Sequence, residues 1–364
     1  MSPADRHDER AGPPAAGRLL IPVGMKPADV RNSRIDAPIR RLSGATMGTD
    51  WSLSYAASDS VQNSGVVAAL DETFVRVIQQ MSNWEPYSDL SRFNREPGWH
   101  DLKPEFFSVL SRALEIAKLT NGAYSPALGA QVDAFGFGPT VVIPEARSAI
   151  RDPLLTLFER GEMGPGSPLR SGRDDNRSWR NIERDTQAHR AFQPGGVALD
   201  LSSIAKGYAV DLCAQRLRDL GIPSFLMEIG GEFAGQGVKP DAQPWWVQLE
   251  LSDIAPAPNE PAHTDIALVN LAVATSGDFI RRRDGVSHLL DGRTGAPVRN
   301  TLSGVAVMHA QAMNADAWAT ALFALGPDEG VTLADAQNLA AIFAIRTLDG
   351  SRSILSAKAQ EMLG

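Results

Sequence analysis

DLSSIAKGYAVD, residues 200–211, places two serines, a lysine and two carboxylates around the start of one helix. Downstream, Ile204, Ala205, Tyr208, Ala209, Leu212 and Leu217 recur at helical spacing, and Gly221 followed by Pro223 supplies a stop. The pattern predicts Ser202 or Ser203 as N-cap and puts Lys206 in the first turn. A cation sits poorly at the positive end of a helix dipole. Lys206 there points to an anion, phosphate being the obvious one, held by the lysine together with free backbone N–H groups. The spacing alone leaves a solvated surface lysine equally open.

Working outward, SFLMEI reads as a strand that ends in the glycine pair of EIGGE (228–232), and PWWVQLE as another. The proline-rich run Asp253–Asp265 is a loop, after which ALVNLAVATSGDF returns to the core. VSHLLDGRTGAPV reads as a strand, a tight turn and a new extended segment. Asn314 to Leu325 is a helix stopped by Gly326 and Pro327.

Upstream, WSLSY alternates like a strand, and Val66, Leu70, Phe74, Val77 and Met81 mark a helix. A polar, aromatic turn, MSNWEPYSDLSRFN (81–94), follows, with Ser88 and Asp89 placed to cap a short helix. A further helix runs from Pro104 to about Thr120 and ends at Asn121 and Gly122. Residues 123–138 are glycine-punctuated and predict irregular backbone, and 164–178 a polar surface insertion. Strands and helices alternate irregularly without an internal repeat. That predicts an α+β fold with mixed or antiparallel sheets and packed helices, spanning 41–362 behind a mobile tail, 1–40.

At 364 residues with 35 basic and 43 acidic side chains, the chain carries a net charge of −8, which gives no general attraction for nucleic acid or an anionic membrane. Cys213 is the only cysteine, so an intramolecular disulfide and a thiolate metal cluster are excluded, and its helical position suggests a small buried filler. No apolar run is long enough for a membrane span. The short patch Leu19–Val23 is too brief for a secretory leader, so the expected compartment is the cytoplasm, or the periplasm if the start codon is misassigned.

In MNADAWATALF, Asp316 and Thr320 stand four residues apart and project from one helix face. Two oxygen ligands on adjacent turns suit a hard cation such as Mg²⁺. The spacing also fits an alternative, in which Asp316 serves the helix N-terminus and Thr320 bonds back to a carbonyl one turn earlier. His288, the histidine embedded in an apolar strand, is a candidate general base or a satisfied structural histidine. Trp84 could stack on a planar ring or simply pack. Gly230 and Gly231 admit a ligand close to the backbone or make a tight turn. No GxGxxG fingerprint, P-loop or GxSxG elbow is present.

Taken in order, MGTDW (47–51), MSNWEPYSDLSRFN, GFG near Gly136, DLSSIAKGYAVD, EIGGE, ATSGD (274–278), SHLLDGRTG and ADAWATALFALGP resemble the ApbE family of FAD:protein FMN transferases over roughly residues 41–350. The resemblance implies an FAD cleft between two halves and Mg²⁺-dependent transfer of FMN from FAD to a Ser or Thr hydroxyl, with AMP released. The acceptor would be a protein bearing a D-x-x-[ST]-G-A-[ST] motif. It makes Asp316, Thr320 and the Ser203 carbonyl metal ligands, and Trp84 the flavin platform. Met47, Asp200, Ser203, Lys206, Glu228, Gly230, Gly231, Ser276, Gly277 and Asp278 would line the FAD pocket. His288 would deprotonate the acceptor, with Lys206 and Asp291 beside the reaction. Two departures stand out: Gly292 where a proline is common, which implies a looser turn, and Ser125 where an aspartate is common. An FAD pyrophosphatase yielding FMN and AMP, or a non-catalytic FAD-binding protein, remains the alternative.

Overall fold

In LSGVAVMH, both faces of a single strand are apolar: Val305 and Val307 join one buried cluster, Ala306 and Met308 another. Side chains alternate across a strand, so such a run must be covered on both sides. The computed structural model describes residues 17–24, 37–139, 178–283 and 286–363. Its strands begin with β1 (Arg18–Leu20), β2 (Ile39–Thr46), β3 (Thr49–Ala56), β4 (Gly98–Asp101), β5 (Glu183–Asp185) and β6 (Arg190–Gln193). Next come β7 (Phe225–Ile229), β8 (Glu232–Gln236), β9 (Trp245–Leu249), β10 (Thr264–Leu268), β11 (Leu271–Gly277) and β12 (Arg282–Arg283). Then follow β13 (Val286–Ser287), β14 (Leu290–Asp291), β15 (Ala296–Pro297), β16 (Leu302–His309), β17 (Ala340–Thr347) and β18 (Gly350–Leu355). The helices are α1 (Asn63–Met81), α2 (Asp89–Arg95), α3 (Pro104–Leu119), α4 (Gly129–Ala134), α5 (Ala205–Asp219), α6 (Ala312–Ala336) and α7 (Ala357–Gln360).

An antiparallel sheet in the order β18, β17, β16, β11, β8, β7, β3, β2 forms the centre. One face packs on helices, where Leu70 and Phe74 of α1, Val210 and Leu217 of α5 and Trp318 and Leu322 of α6 meet Met227, Val305, Val307 and Phe343. The other packs on a three-stranded sheet, β1, β10, β9, whose Leu20, Trp245, Val247, Ile266 and Leu268 meet Leu226, Ala306, Met308 and Ile342. A smaller sheet, β4, β6, β5, shares no strand pairing with these, and its Ala191 joins the helix-side core. The α+β class expected from the irregular alternation is the one found.

Several expectations need correction. Residues 18–20 are not tail: β1 pairs in parallel with β10, Leu20 is fully buried, and the Ile21 N–H donates to the Met362 carbonyl. Burying one leucine is worth about 1.5–3 kcal/mol, reason enough for a short apolar patch to dock. The rest of the expected tail up to residue 36, apart from 17–24, and the insertion 164–177 lie outside the described residues. Within 123–138 a short helix, α4, replaces purely irregular backbone. The Gly326 stop is real, since its φ of 81° breaks α6, but a second helical stretch resumes at Pro327. Neither Ser202 nor Ser203 caps α5; Ile204 occupies that position without a side-chain bond.

Candidate active site

The missing caps of α5 and α6 are supplied by each other. Asp316, on the first turns of α6, accepts a hydrogen bond from the Gly207 N–H in the first turn of α5 (2.9 Å). In return, Asp211 of α5 accepts from the Ala312 and Met313 N–H groups at the start of α6 (2.7 and 2.9 Å). Each carboxylate thereby sits at the positive end of the other helix, where a negative charge is favoured. The arrangement demands glycine at 207, because a Cβ there would lie 2.3 Å from the Ala312 carbonyl oxygen. Sequence reading left Asp211 without a role; its partners lie 101 and 102 residues away, beyond any local pattern.

This exchange of caps has a chemical consequence. In a regular helix the Gly207 N–H would bond the Ser203 carbonyl one turn back, but Asp316 takes it. The Ser203 carbonyl is thereby left without that helical N–H. The Ser203 hydroxyl donates to the Tyr124 phenol oxygen (3.2 Å), whose own pKa is raised chiefly by burial. Thr320, one turn beyond Asp316, does not bond back to its own helix; its hydroxyl shares a 2.9 Å hydrogen bond with Ser276 of β11. Asp316, Thr320 and the Ser203 carbonyl are hard oxygen donors, the chemical type that could hold a cation such as Mg²⁺. Among the described residues no group of three or more His, Cys, Asp and Glu could hold a metal ion. A thiolate, imidazole or multi-carboxylate centre is therefore not on offer there.

Lys206 is half-buried and paired. Its ammonium is in ionic contact with Glu232, a residue only 3% exposed. Burial works against the lysine charge, yet Glu232, Asp316 and Glu228 outweigh it and raise its pKa, so the ammonium stays charged. Three carboxyl groups surround this one ammonium, and burial pushes all three up. Glu228 is partly consumed by its own turn, accepting from the Gly231 N–H (2.9 Å) and the Ser52 hydroxyl (3.1 Å). Gly230 (φ 61°) lies against Thr49, so close that a Cβ would meet its methyl at 2.8 Å, which brings EIGGE beside the Met47–Gly48 turn.

The remaining expected residues fall into two sets. Asp200 is tied down by the Asn83 amide (2.9 Å) and the Ser202 N–H (2.8 Å), and links the loop carrying Trp84 to the start of α5. Trp84 is 60% exposed, so it is not ordinary packing within the chain. Ser276 and Gly277 are buried at the end of β11. Asp278 is bonded by Arg346 of β17 (3.0 and 2.5 Å), so its carboxylate serves an ion pair. Asp291 is likewise gripped by Arg293 through its backbone N–H and guanidinium (2.8 and 2.9 Å). Both carboxylates are thus engaged within the chain.

His288 does not lie within a strand; it interrupts the chain between β13 and β14. One ring nitrogen, Nδ1, lies 3.0 Å from the Arg281 carbonyl oxygen, and the ring meets Phe137 edge-on at 6.1 Å. A carbonyl accepts only from an N–H, so this contact places the proton on Nδ1 and leaves Nε2 with its lone pair. Burial, helped by the Arg281 and Lys206 charges, lowers the His288 pKa to about 4. The neighbouring turn is not loosened by glycine: the Gly292 N–H donates to the Ala123 carbonyl (2.9 Å), a bond proline could not make. A Cβ at 292 would sit 2.5 Å from the Ser125 Cβ, so the two departures from the family pattern are neighbours in space. Two open concavities, one lined by Gly17, Arg18 and Glu260 and the other by Asn270, His309 and Lys358, include none of the expected site residues.

Compared with known proteins, residues 47–343 match the model of the ApbE family. The FAD:protein FMN transferase of Vibrio cholerae is 30% identical over 329 residues, covering 88% of this chain and 92% of that protein. The FAD:protein FMN transferase of Haemophilus influenzae is 30% identical over 324 residues, 85% and 87% of the two chains. The solved flavin transferase ApbE from Vibrio cholerae superposes with a TM-score of 0.74 at 28% identity, covering 90% of this chain and all of that one. With the α5–α6 site inside the matched span, the chain belongs to the ApbE family.

Proposed function

We propose that this chain is a Mg²⁺-dependent enzyme that transfers FMN from FAD to a serine or threonine hydroxyl of an acceptor protein, releasing AMP. The observation that supports the reading is the cap exchange at α5 and α6, in which Asp316 takes the Gly207 N–H and Thr320, one turn on, bonds Ser276 and not its own helix. Mg²⁺ held by Asp316, Thr320 and the Ser203 carbonyl would neutralise diphosphate charge. Lys206, fixed at the same place, adds a permanent positive charge for the phosphates. His288 Nε2 takes the acceptor hydroxyl proton, the oxygen forms a bond to the FMN phosphorus, and the phosphorus–oxygen bond to AMP breaks. The residues of EIGGE and Ser276–Gly277 line the substrate, and Trp84 offers its exposed face to the flavin ring.

The test is mass spectrometry of a peptide carrying D-x-x-[ST]-G-A-[ST] after incubation with the chain, FAD and Mg²⁺. The peptide should gain one FMN phosphoryl group while AMP appears in equal amount. If FMN and AMP accumulate while the peptide mass never changes, the chain is an FAD pyrophosphatase.

The ring platform has its own check. An aromatic stack contributes about 0.5–1.5 kcal/mol beyond burial, so Trp84→Ala should weaken FAD binding several-fold in a flavin-fluorescence titration. Because Trp84 is exposed in the free chain, the melting temperature should barely move. Unchanged FAD affinity would remove Trp84 from the site.

A further inference from the structure

Lys206 and Asp316 should, on charge alone, find each other. Gly207, next to Lys206 in the chain, is already hydrogen-bonded to Asp316, and Lys206 and Asp316 lie near enough for each to shift the other's pKa. Yet the ammonium makes its ionic contact with Glu232 of β8. Glu232 is buried, and its second carboxylate oxygen has no hydrogen-bond partner among the described residues. Burying a carboxylate this deeply is costly unless an ion pair offsets it, and replacing a buried ion pair with apolar side chains is often neutral or favourable. Its persistence beside a ligand carboxylate calls for a reason other than stability.

We infer that Glu232 is a positioning residue that holds the Lys206 ammonium off Asp316, so that the Asp316 carboxylate stays available to a cation. Without Glu232, Lys206 would turn to Asp316 and compete with the metal for the same oxygen, since Glu228, the third carboxylate beside it, is already held by the Gly231 N–H and the Ser52 hydroxyl. With Glu232, one lysine serves as a fixed positive charge for phosphate, and its neighbouring aspartate keeps its negative charge for the metal. The inference rests on the metal-site reading proposed above.

The test measures metal binding directly, by electron paramagnetic resonance of free Mn²⁺ during titration of the full chain without nucleotide. Glu232→Gln keeps the shape and removes the charge, and it should raise the Mn²⁺ concentration for half-saturation by about tenfold, as an adjacent ammonium neutralising a ligand carboxylate would. The double variant Lys206→Met/Glu232→Gln, which has no ammonium to misplace, should return to within about threefold of the parent. This rescue separates positioning from a merely structural ion pair. It also keeps the inference testable if Glu232→Gln alone fails to give a cooperative melt, since the neutral pair avoids an uncompensated buried charge. Parental affinity in Glu232→Gln, or weak binding in a folded double variant, overturns the inference. If the parent binds Mn²⁺ no better than Asp316→Ala does, the metal-site reading itself falls.

Discussion

Asp316→Ala should lose FMN transfer by on the order of a thousandfold or more while the chain stays folded. Asp316 is the one side-chain carboxylate in the proposed donor set, and metal stabilisation of a phosphoryl transition state is worth several kcal/mol, at about 1.4 kcal/mol per tenfold. The same substitution removes the acceptor for the Gly207 N–H. Losing a cap costs about 1 kcal/mol, but a buried carboxylate whose pKa is raised by burial is itself unfavourable, so the two effects oppose each other. The melting temperature should therefore change little while the rate collapses. Transfer at the parental rate in Mg²⁺, measured by peptide mass, would show that the cation sits elsewhere.

His288→Asn should bind FAD as the parent does and lose transfer by roughly 10²–10⁴-fold, the range for a general base. Its pH behaviour is the sharper test. A histidine with an ordinary pKa of 6.5 would lend the rate an inflection there, but burial lowers His288 to about 4. Since the neutral ring is the base, it is fully present from about pH 6 upward, and the parental rate should be flat from pH 6 to 8 as far as this residue is concerned. It should fall only as pH drops towards 4. The same shift links to stability: a folded-state pKa below the unfolded value of 6.5 contributes stability above pH 6.5 that is lost as pH falls through about 4. The parental melting temperature should thus drop more steeply over that window than that of His288→Asn. An inflection near 6.5 that disappears in the variant would show an ordinary histidine. Equal transfer by parent and variant would make His288 structural.

The elements that were legible in sequence are those whose signals are local. The β3 alternation, the α1 and α3 stripes, Ser88 capping α2 with its 2.9 Å bond from the Ser91 N–H, and the Gly326 break each depend on a few adjacent residues. The site was legible as a set of motifs but not as an arrangement. Ser202 and Ser203 look like caps for α5, and nothing within one turn says that an aspartate 109 residues away will displace them. Glu232 escaped notice because the glycine pair of EIGGE accounts for that stretch as a turn; its partner, Lys206, is on another element. The ion pairs of Asp278 with Arg346 and of Asp291 with Arg293 were not legible, the first because its partners lie 68 residues apart. Burial explains the rest: the spacing around His288 cannot show that Phe137 and the Arg281 carbonyl close around its ring.

Strand β1 bears on how the protein should be handled. The family-model match starts at residue 47, and a chain trimmed to residue 37, just ahead of β2, would keep that whole span. It would lack the strand that pairs with β10, leaving that edge's N–H and C=O groups open and a leucine-sized slot beside Ile266 and Leu268. An unpaired strand edge next to apolar surface is a template for another chain. Purified from residue 37 onward, with β2 intact, the protein should keep its chemistry and become sticky, so poor solubility of that trimmed form would speak of a missing edge strand and not of a misfolded enzyme.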